Sequence, residues 1–169
     1  MGAAGLMVPH VSTAAQAAEV VQATRFVPGG RGFAGSTRAA EFTKRSMAEY
    51  HANAADGITL MCQIEDPEGY QNFQEIAAVD GVDTLFVGRA DLAVSHGIID
   101  FFAPEVGDMC EAILKADGAQ TALFTQPGEP LERWYAAGAR FFVIGSEHSM
   151  MYQGAKAMAE AVTAVSSEG

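Results

Sequence analysis

The chain has 169 residues, 49% of them apolar, 18% charged and 9% aromatic, a globular composition that excludes a disordered or fibrous chain. Ten Lys and Arg against 21 Asp and Glu leave a formal charge of −11, which argues against a nucleic-acid backbone or an anionic membrane as main partner. Cys62 and Cys110 are too few for a disulfide framework, no apolar run approaches the roughly 18 residues of a membrane span, and the first five residues lack a signal peptide's basic region, so the expectation is a cytoplasmic protein.

Taken in order, the chain repeats one theme five times: a short apolar run, a polar turn, then a helical pattern. Residues 5–9 read as the first strand, and Thr13-Ala14-Ala15-Gln16 has the form of a capping box opening a helix to about Thr24. Residues 25–57 break the pattern. They hold Pro28-Gly29-Gly30-Arg31-Gly32 and a weakly periodic stretch over 41–55, and read as a long βα loop with an inserted helix. Arg25, Arg31 and Arg38 flank its glycines, either to bind an anionic substrate or to balance a solvated loop. A second strand covers 58–64; Asp66 then stands as N-cap before Pro67, with Tyr70, Phe73, Ile76 and Ala77 on one helical face. A third strand covers 84–88. Pro104 opens a helix whose stripe is Val106, Met109, Cys110, Ile113 and Leu114. After a fourth strand over 121–125, Pro130 opens a helix with Leu131, Trp134 and Tyr135 inward, stopped near Gly138. The fifth strand covers 141–145. The last helix runs from about His148 to Val165 and is expected to be buried through Met151, Ala157, Met158, Ala161 and Val165, before a frayed tail over 166–169.

Near-continuously apolar runs suit parallel strands covered on both faces. Five βα units make an α/β protein, either a doubly wound sheet or part of a (β/α)8 TIM-type barrel. The turn Pro9-His10-Val11-Ser12 has no GxGxxG, which disfavours a dinucleotide fold. A barrel takes about 250 residues, so the expectation is a single partial barrel domain of about five of eight units.

Chemistry in such folds gathers at the carboxyl ends of strands. Glu65 and Asp91 follow successive strands. Neighbouring parallel strands lie about 4.8 Å apart, so the two carboxylates can share one hard cation, with waters and substrate oxygens completing its shell. Period two puts Gln63 on the same side as Glu65. The plainer alternative is that Glu65 caps the next helix and Asp91 a short turn. Gly88-Arg89-Ala90-Asp91 can also present backbone N–H groups to a carboxylate. His10 is a base, a ligand or incidental; His51, His96 and His148 carry less. No HExxH, P-loop, GxSxG or CxxC pattern is present.

Residues 2–9, Arg31-Gly32-Phe33, Gln63-Ile64-Glu65, residues 80–92 and Phe142-Val143-Ile144-Gly145-Ser146 closely resemble, in order, the HpcH/HpaI family of metal-dependent class II pyruvate aldolases, relatives of the citrate lyase beta subunit. The resemblance implies a (β/α)8 barrel, assembled as a homo-oligomer, usually a hexamer that exchanges its last helix. It implies cleavage of a 4-hydroxy-2-oxo acid to pyruvate and an aldehyde. By resemblance Glu65 and Asp91 are the Mg²⁺ or Mn²⁺ ligands, Gln63 contacts pyruvate, and Ala90 and Asp91 bind its carboxylate through backbone N–H groups. The family's general-base histidine and its arginine match nothing here. They would lie upstream of Met1, as would an aspartate two residues before Gly2, so the expectation is a chain lacking three N-terminal βα units. Arg89 stands where many members have proline. Two other readings stay open: a citrate-lyase-like CoA-ester lyase, and a catalytically inactive assembly module.

Overall fold

The computed structural model of the chain describes residues 2–166; the expected frayed end beyond Ser166 lies outside the described residues. Five strands are β1 Gly5–Val8, β2 Thr59–Ile64, β3 Thr84–Val87, β4 Gln120–Thr125 and β5 Phe141–Ile144. All pair in parallel in the order β1-β2-β3-β4-β5. Strand order equal to chain order has no switch point. That decides against a doubly wound sheet, and the chain is a half-barrel of (β/α) units.

Three of the helices start on side-chain caps. In α1 (Ala14–Thr24) Thr13 and Gln16 form the reciprocal capping box. The inserted helix α2 (Met47–Asp56) opens on a second box, Ser46 with Glu49. For α3 (Pro67–Ala77) the Asp66 carboxylate accepts from Gly69 N–H at 2.7 Å. A helix that sequence patterning did not foresee, α4 (Arg89–Ser95), follows β3 directly; α5 (Pro104–Leu114), α6 (Glu132–Ala137) and α7 (Glu147–Ser166) complete the chain.

Period-two alternation divides each strand between two faces. Cys62, Ile64, Leu85, Val87 and Leu123 point to the helices and form the core with Ile76, Leu92, Val106, Cys110, Ile113 and Trp134. Met61, Gln63, Phe86, Ala122 and Phe124 have the opposite parity and face the concave side. β1 and β5 each have one paired edge, and Met7 and Phe141 are 41% and 44% exposed. No helix among the described residues is long and apolar enough to cross a membrane.

Three expectations are corrected. Residues 25–57 leave α1 and enter β2, so they are an αβ connection at the amino ends of the strands, not a βα loop beside the chemistry. They pack around their own aromatic cluster, with Phe26, Phe33 and Tyr50 centroids 5.2 to 5.5 Å apart. Arg25 is structural there: its guanidinium donates to the carbonyls of Ile58 and Gly81 and pairs with Asp83. Tyr135 is exposed rather than inward, because the short α6 buries the Trp134–Ala137 face and Tyr135 lies about 100° round from Trp134. Finally, α7 is not buried through Met151, Ala157, Met158, Ala161 and Val165; all five are exposed, since no other element among the described residues covers that face.

Candidate functional site

Three strand exits meet at the carboxyl edge of the sheet. Glu65 follows β2 on the concave parity and is 3% exposed. Its Oε1 accepts the His10 backbone N–H at 2.9 Å and lies 3.2 Å from His10 Nδ1; Oε2 accepts from the Gln63 side-chain amide. Its backbone carbonyl accepts from Ser95 Oγ at 3.1 Å. Among the described residues no Lys or Arg pairs with this buried carboxylate. Glu65 does not cap α3, because Asp66 does so, with its second oxygen accepting from Ser12 Oγ at 2.7 Å. The structural task considered for Glu65 is therefore done by its neighbour.

Gly88 follows β3 directly, and this position requires glycine for a steric reason. A Cβ there would lie 2.7 Å from Glu65 Oε2 and 2.8 Å from Gln63 Nε2. Gly88 is also the N-cap of α4 and supplies no side-chain cap. The first helical bond runs from Leu92 N–H to the Gly88 carbonyl, leaving the N–H groups of Arg89, Ala90 and Asp91 without an intrahelical partner. Asp91 sits in the first turn of α4, exposed, with no ion pair among the described residues. Gln63, Gly88, Ala90 and Asp91 line one cavity of about 260 Å³, closed at the back by Phe86 and Phe124.

Arg89 turns its charge elsewhere. Only 5% exposed, it makes two bonds to Glu129, at 2.5 and 2.9 Å, with its guanidinium 5.1 Å from the Phe101 and Phe102 ring centres. Glu129 also accepts from Trp134 Nε1 at 3.0 Å and from Gln126 N–H at 3.1 Å. Burial opposes ionisation of Glu129, but the bonds from Arg89, Gln126 and Trp134 outweigh it and hold the carboxyl below the ordinary glutamate range. This pair ties the turn after β3 to the turn after β4, and sequence reasoning missed Glu129 entirely. The remaining histidines are occupied otherwise: His51 on the Phe26 carbonyl, His96 on the Leu92 carbonyl, and His148 at the surface beside Glu147.

The donors suit a hard cation. Among the described residues no three His, Cys, Asp or Glu converge in a metal-binding group. Glu65, buried with no Lys or Arg partner among the described residues, is hydrogen-bonded to Gln63, which lines the cavity together with Asp91, a second carboxylate with no ion pair among the described residues. Magnesium-type sites are commonly built this way, with waters and substrate oxygens completing the shell.

Known proteins share this arrangement of elements. The family model described as HpcH/HpaI aldolase/citrate lyase matches residues 1–159. The chain is 35% identical over 163 residues to a hydroxypyruvate/pyruvate aldolase of Deinococcus radiodurans, covering 94% of this chain and 59% of that protein. It is 37% identical over 158 residues to a 2-keto-3-deoxy-L-rhamnonate aldolase of Klebsiella pneumoniae, covering 90% and 58%. A crystal structure of an HpcH/HpaI aldolase/citrate lyase family protein from Burkholderia cenocepacia superposes with a TM-score of 0.87 at 33% identity, covering 96% of this chain and 66% of that one. The chain thus spans about three fifths of the length of the curated relatives it matches. On sequence over nearly its whole length and on the half-barrel itself, the chain belongs to the HpcH/HpaI aldolase/citrate lyase family.

Proposed function

We propose that the chain carries the cation and 2-oxo acid half of a class II pyruvate-aldolase site, and that the whole protein cleaves a 4-hydroxy-2-oxo acid to pyruvate and an aldehyde. The observation that carries this is the single cavity onto which Gln63, the free α4 amides and Asp91 open, backed by the buried Gln63–Glu65 pair. Glu65 and Asp91 would hold Mg²⁺ or Mn²⁺. Ala90 and Asp91 N–H groups would receive the oxo acid carboxylate, and Gln63 would orient it. A divalent cation bound there supplies a Lewis acid that stabilises negative charge developing on the substrate's oxo oxygen. The bonds to Glu129 neutralise the charge of Arg89, which is itself one of the residues lining the cavity. No residue of this chain is assigned the general-base role. The aldolase names of the relatives support the reaction class, and a cavity of about 260 Å³ suits a three-carbon oxo acid better than an acyl-CoA. The reading includes a homo-oligomer, with the uncovered α7 as one of its surfaces.

The test is thermal unfolding with Mn²⁺ or Mg²⁺ plus oxalate, an analogue of the pyruvate enolate. A ligand at 100 times its Kd that binds only the folded chain adds about 2.7 kcal/mol. The expected result is a shift of that order, lost in Glu65→Gln and in Asp91→Asn. No shift in the unsubstituted chain, or an equal shift in both variants, overturns the assignment.

A further inference from the structure

A larger cavity than the one lined by Gln63 and Asp91 lies away from Glu65. It lies at the other end of the sheet, has a volume of about 440 Å³, and is lined by Arg31, Arg45, Tyr50 and Asn53 with the main chain of Gly2 and Gly57. Along β2 the two ends are about 20 Å apart, since a strand advances about 3.3 Å per residue. The charge there is anomalous. Residues 25–45 hold five of the chain's ten cations, Arg25, Arg31, Arg38, Lys44 and Arg45, against one acid, Glu41, in a chain of net charge −11.

Two of these cations have fixed partners: Arg25 is tied to Asp83, and Arg45 to Glu41 at 2.6 Å. Arg31 and Arg38 form no ion pair among the described residues. Arg31 is held in place by stacking, its guanidinium 4.3 Å above the Phe26 ring. Arg38 lies beside the lining residue Gly2, with Nη2 3.1 Å from the point a Gly2 Cβ would occupy. Two like-charged forks held around one concavity repel each other unless an anion joins them. The guanidinium fork matches the oxygens of phosphate and carboxylate groups. The volume falls within the range of small-molecule sites, about 300 to 1,000 Å³, and Asn53 adds a further polar group to the wall. A concave pocket in an otherwise acidic chain suits a small anion better than a nucleic acid, which would meet net repulsion.

We propose that this cavity is a second binding site, for a small organic oxyanion. Arg31 and Arg38 grip its phosphate or carboxylate group, and Tyr50 and Asn53 line the space for its body. The site is separate from the cation and oxo acid reading and does not depend on it.

The experiment is isothermal titration at low ionic strength with EDTA present, using inorganic phosphate and succinate as probes. Saturable one-site binding of at least one probe is expected: phosphate alone identifies a phosphoryl ligand, and succinate alone a carboxylate. Arg31→Gln/Arg38→Gln should weaken it about tenfold or more. Arg38→Gln alone, at an exposed side chain whose loss leaves the stacking intact, should weaken it severalfold, so a folding defect in the double variant leaves the proposal testable. Lys115→Gln/Lys156→Gln removes the same charge elsewhere and should leave affinity within twofold, as should Glu65→Gln. Failure of both probes to saturate, unchanged affinity in the arginine variants, or equal weakening in the lysine control overturns the site.

Discussion

Glu129 does not line the cavity at Gln63, yet it ties together two of the turns beside it. Its carboxylate joins Arg89, Trp134 and the Gln126 amide, and so couples the turns after β3 and β4. Removing one member of a buried pair costs about 3 kcal/mol, because the other charge is left without a partner. Glu129→Gln is therefore expected to lower stability at neutral pH by roughly that amount, as read by urea unfolding. The folded-state pKa is depressed, so the stabilisation is complete above the ordinary glutamate value near about 4.3 and is lost as the pH falls through the lower folded value. The difference between the unsubstituted chain and Glu129→Gln should shrink at acid pH; a constant difference would show that Glu129 is not ionised in the fold. The cysteines behave as their burial dictates, with the thiols pushed up to about 11 at Cys62 and about 12 at Cys110, so neither is a nucleophile at neutral pH.

Two helix starts were legible because capping is local: Thr13 and Asp66 each accept from an amide three residues on. Helix burial was less so, because it depends on what lies opposite. The apolar stripe of α7 looks like a core face in sequence, yet Met151, Met158, Val162 and Val165 are exposed. Most helical stability in proteins comes from such a face being covered. If a second copy covers α7, Met158→Asp/Val162→Asp should lower the assembly mass in analytical ultracentrifugation. An unchanged mass would remove α7 from the interface. The α4 helix was missed for a related reason: seven residues give too short a period to read, and its N-cap Gly88 has no capping side chain.

At the scale of the fold, the described residues form a half-barrel sheet with the core between it and the helices. β2, β3 and β4 are paired on both sides and covered by the core, whereas β1 and β5 each have one neighbour. Native-state hydrogen exchange should therefore show the slowest amides in the three central strands and faster exchange in β1, β5 and α7. Equal protection of β1 and β3 would mean that the edge is paired in solution. Charge is as unevenly placed as protection, with the basic strap at the amino ends of the strands and Glu65 and Asp91 at the carboxyl ends.

The sequence by itself determined the five strands, their parallel sense and the starts of α1, α3 and α5, because apolar runs, caps and prolines act within a few residues. It also put Gln63, Glu65, Ala90 and Asp91 at strand exits, since period two and strand length fix where a chain leaves a sheet. Only the tertiary structure decided that Asp66 and not Glu65 caps α3, that Arg89 is spent on Glu129, and that residues 25–57 lie at the far end of the barrel. Each of these turns on a partner distant in sequence, and such partners are chosen by packing across strands rather than by any local preference of the chain.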